Sequence, residues 1–476
     1  MSIDSARLLA AYRAAVAACD PAARVRAYLA DESVTRLEIA GGRRFGVAIG
    51  KAALAMVRGA GPVERGIVIV PATDLRSVGR DSALPSGWRV IESAHPFVDE
   101  RSVRAARAAR TVIDAARAED VVLALISGGT SSLIEEPNEV LAAYDDLAIG
   151  GVTDGGVTDG DATDGSDGRA LARFGAITRA VMESGARIED LNTVRSVLSR
   201  VKRGGLVESC AAPVVTLAVS DVIGDGLAVI GSGPTIGAWF VDDETERRAR
   251  AIAILERISS ASPAIGTAVD RLRSTAGGEL AQRGTPGRGS AVRDRDHAIV
   301  ITRMAAFGEA VVNALGPQAW LEHVVRPLSD DVSTCAAQIV ARVGFRADAG
   351  VGDTMYGTYV FWGEPTLRVP DDHGEGGRAQ QLALLLAKAI RGTQFVAMVI
   401  GSDGVDGPPP AERAAPAGAI VDGTTWDAII AAGEDPERSL ARCDAGRALH
   451  AVGALVVTGP TGINHGDVVV IGDRRE

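Results

Sequence analysis

Short apolar runs recur along this chain, and stretches with apolar residues at helical spacing lie between them. Examples of the runs are FGVAI, GIVIVPA, VVLALIS and FVAMVIG. Runs of this length are typical of strands that are buried on both faces, and they are far shorter than the roughly 20 residues of a membrane helix. The alternation of strands and helices predicts an α/β fold whose sheets are mostly parallel.

This pattern predicts two domains. Residues 1–245 hold the first series of strands and helices, and residues 295–476 hold a second series, in which TYVFWGEPTLRV is expected to form a hairpin. Residues 246–294 combine a charged helix with a stretch rich in Gly, Arg and Ser, which is typical of an exposed connection. A near-repeat of T-D-G at residues 150–168 cannot bury apolar surface and is predicted to be a flexible insertion. Calcium binding by this repeat is the minority interpretation, because it lacks the spacing of an EF-hand loop.

Charge and cysteine content exclude several classes of partner. The net charge is −11, and no basic tract with interleaved aromatic residues is found, which argues against nucleic-acid binding. The short apolar runs and the absence of a secretory signal pattern predict a cytoplasmic protein with no membrane partner. The four cysteines are scattered without a C-x-x-C pair, so neither a zinc site nor a disulfide framework is predicted. The sequence leaves open whether the chain forms a homo-oligomer.

Lysine is rare among the 50 basic residues, since only Lys51, Lys202 and Lys388 occur. A lysine retained in an arginine-rich chain indicates a need for a compact ammonium group. Lys51 follows the first buried strand, at the ligand side of an open α/β sheet, where a binding role competes with that of a simple surface lysine. Lys388 lies in a helical run and is expected at the surface. A single histidine, His95, is interpreted as structural.

Small and hydroxyl-bearing residues follow the strand VVLALI, in the turn that spans residues 127–132. Such a turn offers N–H and O–H donors that suit a phosphate or a carboxylate, and the alternative is an ordinary turn. Further along, Asn192, Arg195, Ser199 and Lys202 are placed around one helix. Arg195 and Ser199 are four residues apart and share a face of it.

Four aspartates, Asp221, Asp225, Asp403 and Asp406, come directly after buried strands. Magnesium takes one or two protein carboxylates and completes its shell with water and phosphate oxygens, so each aspartate is a candidate metal ligand. An aspartate in this position can instead cap the next turn. The sequence does not rank the four, either as ligands or as the base that takes a substrate proton.

The segment DDHGEGGRAQQLALLLAKAI, residues 371–390, places three glycines before Arg378 and an apolar helical run after it. Glycine lets a ligand approach the backbone, and a helix N-terminus offers unpaired amides and partial positive charge. The loop is therefore predicted to bind an anion. The alternative is a tight turn with a solvated arginine.

Taken in order, these segments resemble the glycerate 2-kinase family, whose C-terminal part is called the MOFRL domain. The matching motifs are IGKAALAM, HPFVDE, SGGTSS, LNTVRSVLS, SDVIGDGLAVIGSGPT, GEPTLRVPDDHGEGGRAQQLAL, SDGVDGP, PAGAIVDG and TGPTGIN. The resemblance implies a Rossmann-like N-terminal domain and a MOFRL-like C-terminal domain, with the active site in the cleft between them. It also implies transfer of the ATP γ-phosphate to a hydroxyl of D-glycerate, giving 2-phosphoglycerate, with Mg²⁺ as the metal.

The resemblance further implies roles for individual residues. Lys51 in GKA and Arg378 in GGR occupy the positions regarded as catalytic. An arginine can grip a carboxylate or phosphate with two hydrogen bonds, and a lysine can act as a movable point charge. The candidates for substrate or nucleotide binding are Ser127, Gly128, Gly129, Ser131, Asn192, Arg195, Gly376 and Gly377.

The chain departs from the family pattern beside these motifs. Thr130 stands where the family has a glycine in S-G-G-G-S-A, and Ala379 and Gln381 replace the asparagine and glutamate of N-x-E. These changes leave two alternatives open: a diverged kinase for another sugar acid or a specialised metabolite, and a ligand-binding relative without turnover. An NAD-dependent hydroxypyruvate reductase is a third interpretation, and the absence of a G-x-G-x-x-G fingerprint argues against it.

Overall fold

The protein is described from a computed structural model, which covers residues 3–31, 42–72, 84–95, 97–142, 165–186, 188–237, 244–259, 263–274, 295–317, 321–344, 357–407 and 413–473. Most of the predicted T-D-G insertion lies outside these residues, so its exposure stays a prediction. Its last residues are described, and they are helical, because a helix begins at Gly165. Residues 275–294 of the predicted connection also lie outside the described part.

Strands and helices alternate through most of the described chain. The strands are β1 (Arg44–Ile49), β2 (Arg65–Pro71), β3 (Trp88–Ser93), β4 (Val121–Ile126), β5 (Val214–Val219), β6 (His297–Thr302), β7 (Leu321–His323), β8 (Thr358–Gly363), β9 (Phe395–Gly401), β10 (Gly418–Asp422), β11 (Leu455–Val456) and β12 (Asp467–Asp473). The helices are α1 (Ser5–Ala18), α2 (Pro21–Leu29), α3 (Ala53–Ala60), α4 (Glu100–Ile113), α5 (Thr130–Leu133), α6 (Glu139–Ala142), α7 (Gly165–Glu183), α8 (Ile188–Leu198), α9 (Glu244–Arg257), α10 (Pro263–Ser274), α11 (Ala306–Leu315), α12 (Val332–Val343), α13 (Arg378–Ala389), α14 (Thr425–Ala431), α15 (Pro436–Ala441) and α16 (Ala445–Ala451). Two 3₁₀ turns cover Gly205–Val207 and Ile230–Ser232. No helix of the described residues combines the length and apolar composition that crossing a membrane requires.

The first sheet has the strand order β3-β2-β1-β4-β5-β6. Strand β1 pairs in parallel with β2 and with β4, so that Ile49 lies opposite both Ile69 and Ile126. The pairs β2–β3 and β4–β5 are parallel as well, which confirms the prediction for this half of the chain. The strand order reverses between β1 and β4, and ligands of open α/β sheets bind where the carboxyl ends of two such strands lie side by side.

The second sheet has the order β11-β10-β9-β12-β8-β7, and only β7–β8 is parallel. The pairs β10–β11, β9–β10, β9–β12 and β8–β12 are antiparallel, so the prediction of a mostly parallel sheet was wrong here. The reason lies in burial on both faces: Ala397 and Val399 of β9 pack in one core cluster, while Met398 and Ile400 pack in another. Two-sided burial gives a continuous apolar run whichever way a strand points.

The predicted hairpin in TYVFWGEPTLRV is also wrong. Strand β8 ends at Gly363, and the chain then runs beside a neighbouring segment instead of turning back on β8. Glu364 N donates to Leu328 O over 2.8 Å, and Thr366 N donates to Asp330 O over 3.0 Å. The backbone donors after β8 are therefore satisfied by the segment that precedes α12.

The chain forms two compact units. The N-terminal unit consists of residues 25–218 and 226–300, and the C-terminal unit consists of residues 1–24, 219–225 and 301–476. This partition differs from the contiguous boundaries predicted from the sequence.

Two contacts explain the difference. Helix α1 belongs to the C-terminal unit because the buried Tyr12 donates its hydroxyl to Gly401 O over 3.1 Å and meets the ring of Phe307 edge-on. Helices α9 and α10, predicted as part of a connection, contribute Leu255 and Ile265 to the core of the N-terminal unit, where they join Phe174 of α7. The helical part of the predicted connection therefore packs into the N-terminal unit, whereas the exposure of residues 275–294 stays a prediction.

Candidate active site

In the N-terminal unit, Lys51 lies in the turn after β1, and backbone hydrogen bonds tie this turn to the one after β4. Lys51 N donates to Gly128 O over 2.9 Å, and Ala52 N donates to Ser127 Oγ over 3.1 Å. Gly50 has φ of +126°, and a Cβ added there would lie 2.1 Å from Ser127 Oγ, so the close approach of the two turns requires glycine. The structure thus brings together Lys51, Ser127 and Gly128.

Gly129 marks the place where two further side chains approach this turn. It has φ of +87°, and a Cβ there would lie 3.2 Å from Cδ2 of His95 and 3.5 Å from Cγ of Lys51. His95 is exposed. His95 was predicted to be structural, and its position in the motif HPFVDE is the sequence signal that could have placed it near this turn.

Thr130, which replaces a family glycine, points inward. Its hydroxyl lies 2.9 Å from Ile49 O and 2.7 Å from Ser127 O, and the residue is fully buried. The hydroxyl can donate to only one of these carbonyls at a time. The Thr130 hydroxyl therefore satisfies a backbone carbonyl at the end of β1 or in the turn after β4. Because the residue is fully buried, neither its methyl nor its hydroxyl group is exposed to a ligand.

A buried charge pair lies behind the same turn. Lys202 Nζ is 3.0 Å from Glu135 Oε2, and the two side chains are 1% and 0% exposed. Lys202 also donates to Ser131 O over 2.9 Å. Burial lowers the pKa of Lys202, and the carboxylate of Glu135 opposes this effect. Lys202 thus supports the backbone of the turn from inside the unit.

The other two predicted binding residues of this unit lie on α8. Burial lowers the pKa of Arg195, with Glu135 again opposing, and Arg195 Nε is buried without a hydrogen-bond partner in the described part of the chain. Arg195 therefore shares the internal environment of the lysine–glutamate pair. Asn192 lines a pocket between α8 and α9 together with Arg203 and Arg247.

In the C-terminal unit, Arg378 begins α13 and is held by two acids. Its Nε donates to Asp467 Oδ2 over 2.7 Å, and its Nη1 donates to Glu364 Oε1 over 2.8 Å. Burial alone would lower the pKa of Arg378, but the two carboxylates outweigh it and raise the pKa above its ordinary value. The side chain is still 32% exposed, so a guanidinium fixed in direction can meet a ligand from the open side. Asp467 and Glu364 were not identified from the sequence, although Glu364 lies in the motif GEPTLRVPDDHGEGGRAQQLAL and Asp467 follows TGPTGIN by three residues.

The amides at the start of α13 are already occupied. Ala379 N donates to Asp406 Oδ1 over 3.0 Å, and Gln380 N donates to Asp406 Oδ2 over 2.8 Å. A Cβ on Gly377 would lie 2.3 Å from Asp406 Oδ1, so glycine is needed there for packing. The prediction that these amides receive an external anion is corrected, because the chain supplies its own carboxylate.

The prediction that Asp406 is a metal ligand is corrected as well. Both carboxylate oxygens accept backbone amides, Asp406 is 6% exposed, and this residue acts as a helix cap instead of a metal ligand. Burial raises the pKa of Asp406 to about 6, with the charge of Asp467 adding to the effect and the amides of α13 opposing it. Gly376, with φ of +124°, belongs to the same packed loop.

Ala379 and Gln381, the two departures after GGR, are buried in the C-terminal unit. Ala379 is 1% exposed, and Gln381 is 6% exposed. Gln381 Nε2 donates to Leu440 O over 2.8 Å, at the end of α15. Both residues thus serve internal packing, whereas the sequence suggested that they influence the choice of substrate beside Arg378.

The three other candidate metal ligands are spread over the C-terminal unit. Asp221 Oδ2 accepts Asn464 Nδ2 over 3.1 Å, and Asp225 Oδ1 accepts Met304 N over 2.9 Å. Asp403 accepts Val405 N over 3.1 Å. Among the described residues, no group of three or more His, Cys, Asp or Glu side chains could hold a metal ion.

Two carboxylates, those of Asp403 and Asp467, lie near each other at the end of β9. A Cβ built on Gly401 would lie 3.3 Å from Asp403 Oδ1 and 3.4 Å from Asp467 Oδ1, so both acids flank the end of β9. The charge of Asp403 also contributes to raising the pKa of Asp467, behind the larger effect of burial. Two carboxylates are the usual protein contribution to a magnesium site.

The loop before β12 ties two of these segments together. His465 Nδ1 lies 3.2 Å from Ser220 O, and His465 N donates to Ser402 Oγ over 2.7 Å. Burial lowers the pKa of His465 to about 4, so the ring is neutral near pH 7 and Nδ1 carries the proton that Ser220 O accepts. His465 and Asn464 thereby fix the strand end that carries Asp221.

Comparison with known proteins identifies the family of the chain. A family model described as a domain of unknown function (DUF4147) matches residues 7–151 and 164–272, and the MOFRL family matches residues 358–467. A D-glycerate 2-kinase of Thermotoga maritima is 32% identical over 433 residues, which are 89% of this chain and 89% of the relative. The chain belongs to the glycerate 2-kinase family.

Two further matches extend the comparison. The crystal structure of a glycerate kinase (EC 2.7.1.31) from Thermotoga maritima superposes with a TM-score of 0.69 at 28% identity and covers 97% of each chain. A protein of Agrobacterium vitis that is named as a hydroxypyruvate reductase is 29% identical, over 97% of this chain and 92% of its own. Residues 152–163, within the T-D-G near-repeat, fall between the two stretches that match the first family model.

Proposed function

We propose that this chain is an ATP-dependent kinase that phosphorylates a hydroxyl of D-glycerate and yields 2-phosphoglycerate. The observation that carries the proposal is the anchored guanidinium of Arg378, directed by Asp467 and Glu364 and open on its remaining side. Phosphoryl transfer is mostly a matter of positioning the reactants and stabilising charge on the transferred group, and a fixed cation does both.

Lys51 and Arg378 are proposed as the catalytic residues. Lys51 follows β1 at the switch point of a parallel sheet, beside a glycine turn whose donors suit phosphate oxygens. Its ammonium group can follow an oxygen as the bond to the leaving group breaks, whereas Arg378 is fixed and orients an anionic group. The proposed binding residues beside Lys51 are Ser127, Gly128, Gly129 and Ser131.

Magnesium is proposed as the metal, and Asp403 and Asp467 are the residues that would hold it. The ion, when bound, supplies positive charge to the phosphate oxygens. The acids around Arg378 make such a charge necessary, because Asp467 and Glu364 together outweigh the single charge of the arginine. We include Asp221 as a weaker candidate, since one of its oxygens is bonded to Asn464.

The alternatives of a different acid substrate and of a non-catalytic relative are not favoured. Their support was the substitutions Thr130, Ala379 and Gln381, and all three residues are buried and serve internal packing. A reductase is the second candidate, on the strength of the relative that carries this name. The turn after β1 lacks the glycine fingerprint of dinucleotide binding.

A coupled assay of ADP release tests the proposal. D-glycerate with ATP and Mg²⁺ should give turnover, and NADH should neither bind, as judged by its fluorescence, nor be oxidised with hydroxypyruvate. Failure to turn over glycerate or any other sugar acid at saturating Mg²⁺ would exclude the kinase. Hydroxypyruvate-dependent oxidation of NADH would favour the reductase.

A further inference from the structure

The short helix α5 ends inside the N-terminal unit, where its carbonyl groups meet buried side-chain donors. A helix leaves its last four carbonyls without partners of its own, so each of them needs a donor from elsewhere. Ser102 Oγ donates to Ser132 O over 2.7 Å, and Ser93 Oγ donates to Leu133 O over 2.7 Å. Both serines are fully buried. The start of α4 and the end of β3 therefore fix the direction in which α5 points.

Lys202 supplies a third donor, and it also reaches the residues that follow α5. Its Nζ donates to Ser131 O over 2.9 Å and lies 3.0 Å from Glu135 Oε2. Glu135 is itself held by the backbone, because its Oε1 accepts Glu136 N over 3.0 Å and its own N donates to Ser102 O over 3.2 Å. One ammonium group thus ties the middle of α5 to a carboxylate four residues further along the chain.

This arrangement explains why a lysine stands here in a chain that otherwise uses arginine. An ammonium group is a compact donor of three hydrogen bonds, so a carbonyl and a carboxylate that approach from different directions can share it. Arginine would bring a larger, planar group into a site where the side chain of Lys202 is already only 1% exposed. The position therefore selects for the shape of the cation as well as for its charge.

The other end of the same turn carries the proposed binding residues. Gly128 and Gly129 stand directly before α5, and Ser131 lies within it. Ser132 N and Leu133 N both donate to Gly129 O, over 3.2 and 3.3 Å, so the glycines and α5 form one hydrogen-bonded unit. A change in direction at the carbonyl end of this unit therefore displaces the groups at its other end. Displacements of about 1 Å in a binding site can cost as much as 10²-fold in rate.

We propose that Lys202 is a positioning residue, which sets the affinity of the turn at residues 127–132 for a phosphate group by holding Ser131 O in place. Lys202 does not touch the ligand, because its side chain is buried behind the turn. The inference rests on the proposed function, in which this turn binds phosphate oxygens. The phosphate can belong to the nucleotide or to the phosphorylated acid.

The test is a calorimetric titration of the full chain with ADP and with 2-phosphoglycerate. Lys202→Met should weaken the binding of the ligand held by the turn at least about tenfold. The double variant Lys202→Met with Glu135→Leu also removes the unpaired carboxylate, so it should regain much of the lost stability. Its affinity should stay as weak as that of Lys202→Met, because Ser131 O still lacks its donor. A purely structural role of Lys202 would instead restore stability and affinity together.

Phe174→Leu is the matched control for a loss of stability alone. Phe174 is buried in a core cluster whose described members include none of residues 127–135, and the smaller side chain leaves a cavity there. Its affinity for either ligand should stay within about twofold of the wild type, as expected for distant sites. Ser102→Ala serves as a second test variant if Lys202→Met does not fold. It removes a neutral donor from the same turn and should weaken the same ligand by a smaller factor.

The two ligands distinguish the sources of the phosphate. Loss confined to ADP assigns the turn to the nucleotide, and loss confined to 2-phosphoglycerate assigns it to the phosphorylated acid; either result, or a loss for both, supports the proposal. Affinity that returns with stability in the double variant would overturn it, as would equal losses in Lys202→Met and Phe174→Leu.

The outcomes also separate this inference from the proposed function. A wild type that binds a phosphorylated ligand in the expected way but does not turn over glycerate would refute the kinase and leave the role of Lys202 standing. Turnover by the wild type, combined with unchanged affinities in Lys202→Met and Ser102→Ala, would do the reverse. A wild type that binds neither ligand would overturn both.

Discussion

The turn that follows β4 and the loop that precedes α13 look alike in sequence, since each places two consecutive glycines directly before a helical segment. In the structure they differ. The turn at residues 127–132 is held from inside the unit by Lys202 and by backbone bonds to the Lys51 turn. The loop before α13 is filled by Asp406, which bonds the first two helical amides. A glycine loop before a helix is thus an anion site only where the chain does not supply its own carboxylate.

The same contrast applies to the two cations. Lys51 is tied down through its backbone, and Arg378 is tied down through its side chain by Asp467 and Glu364. An anion that meets Arg378 must share the guanidinium with these two acids. The predictions below follow from this difference in support.

The largest effect is expected from removing either cation. Lys51→Ala and Arg378→Ala should each lower kcat by about 10³-fold or more, because each removes charge that stabilises the transferred phosphoryl group. Steady-state kinetics measure the loss, and circular dichroism checks that the variants are folded. Lys388→Ala is the control, since Lys388 is half exposed and pairs with Glu437, and it should leave kcat within about twofold. A wild-type rate in either catalytic variant would remove that residue from the mechanism.

The next largest effect is expected from breaking the buried Lys202–Glu135 pair behind the turn at residues 127–132. Lys202→Met should destabilise the protein by about 3–5 kcal/mol, because it leaves the charge of Glu135 buried without its partner. Urea unfolding measures the change. The double variant Lys202→Met with Glu135→Leu should recover much of this loss. If the double variant is no more stable than Lys202→Met alone, the ion pair with Glu135 is not the reason why a lysine is needed at this position.

A smaller effect is expected at the loop before α13. Asp406→Ala should cost about 2 kcal/mol by leaving two helical amides without their acceptor. The same change opens the helix N-terminus, so phosphate should raise the thermal midpoint of the variant more than that of the wild type. An equal response to phosphate in both proteins would contradict the view that Asp406 occupies an anion nest.

The pH dependence of the same group has a defined sign. Because burial raises the folded-state pKa of Asp406 from its ordinary value of 3.8 to about 6, the folded protein binds more protons than the unfolded one between these values. The contribution of Asp406 to stability is therefore greatest below about pH 4 and falls as the pH rises to about 6. The difference in unfolding free energy between the wild type and Asp406→Asn should decrease over this range. A constant or rising difference would mean that the amides outweigh burial.

The smallest effect is expected from restoring the family residues after GGR. Ala379→Asn with Gln381→Glu should change the ratio of kcat/KM for glycerate over another sugar acid by less than about threefold, because both positions are buried away from the open side of Arg378. The double variant should be less stable, since Leu440 O loses its donor. A shift of the ratio beyond tenfold would show that these positions do determine specificity.

The sequence predicted the strand directions correctly for the first sheet and wrongly for the second. Neighbouring strands that are joined through a helix are commonly parallel, and the pairs of β1 with β2 and with β4 follow this pattern. In the second sheet, β12 lies between β8 and β9, a pairing that no local pattern encodes. Likewise, Lys51 and Arg378 could be selected from motifs, whereas Asp467 becomes a partner of Arg378 only through a contact across 89 residues. The features that could not be predicted are the strand pairings and side-chain contacts between residues far apart in the sequence.

The docking of α1 on the C-terminal unit has a consequence for biosynthesis. Helix α1 is synthesised hundreds of residues before Phe307 and Gly401, which contact Tyr12. The N-terminal unit, whose last residue is 300, can be complete while the apolar face of α1 still lacks its partners. The apolar face of α1 therefore lacks these packing partners until they have been synthesised. The sheet of the C-terminal unit is complete only when β12 has paired between β9 and β8.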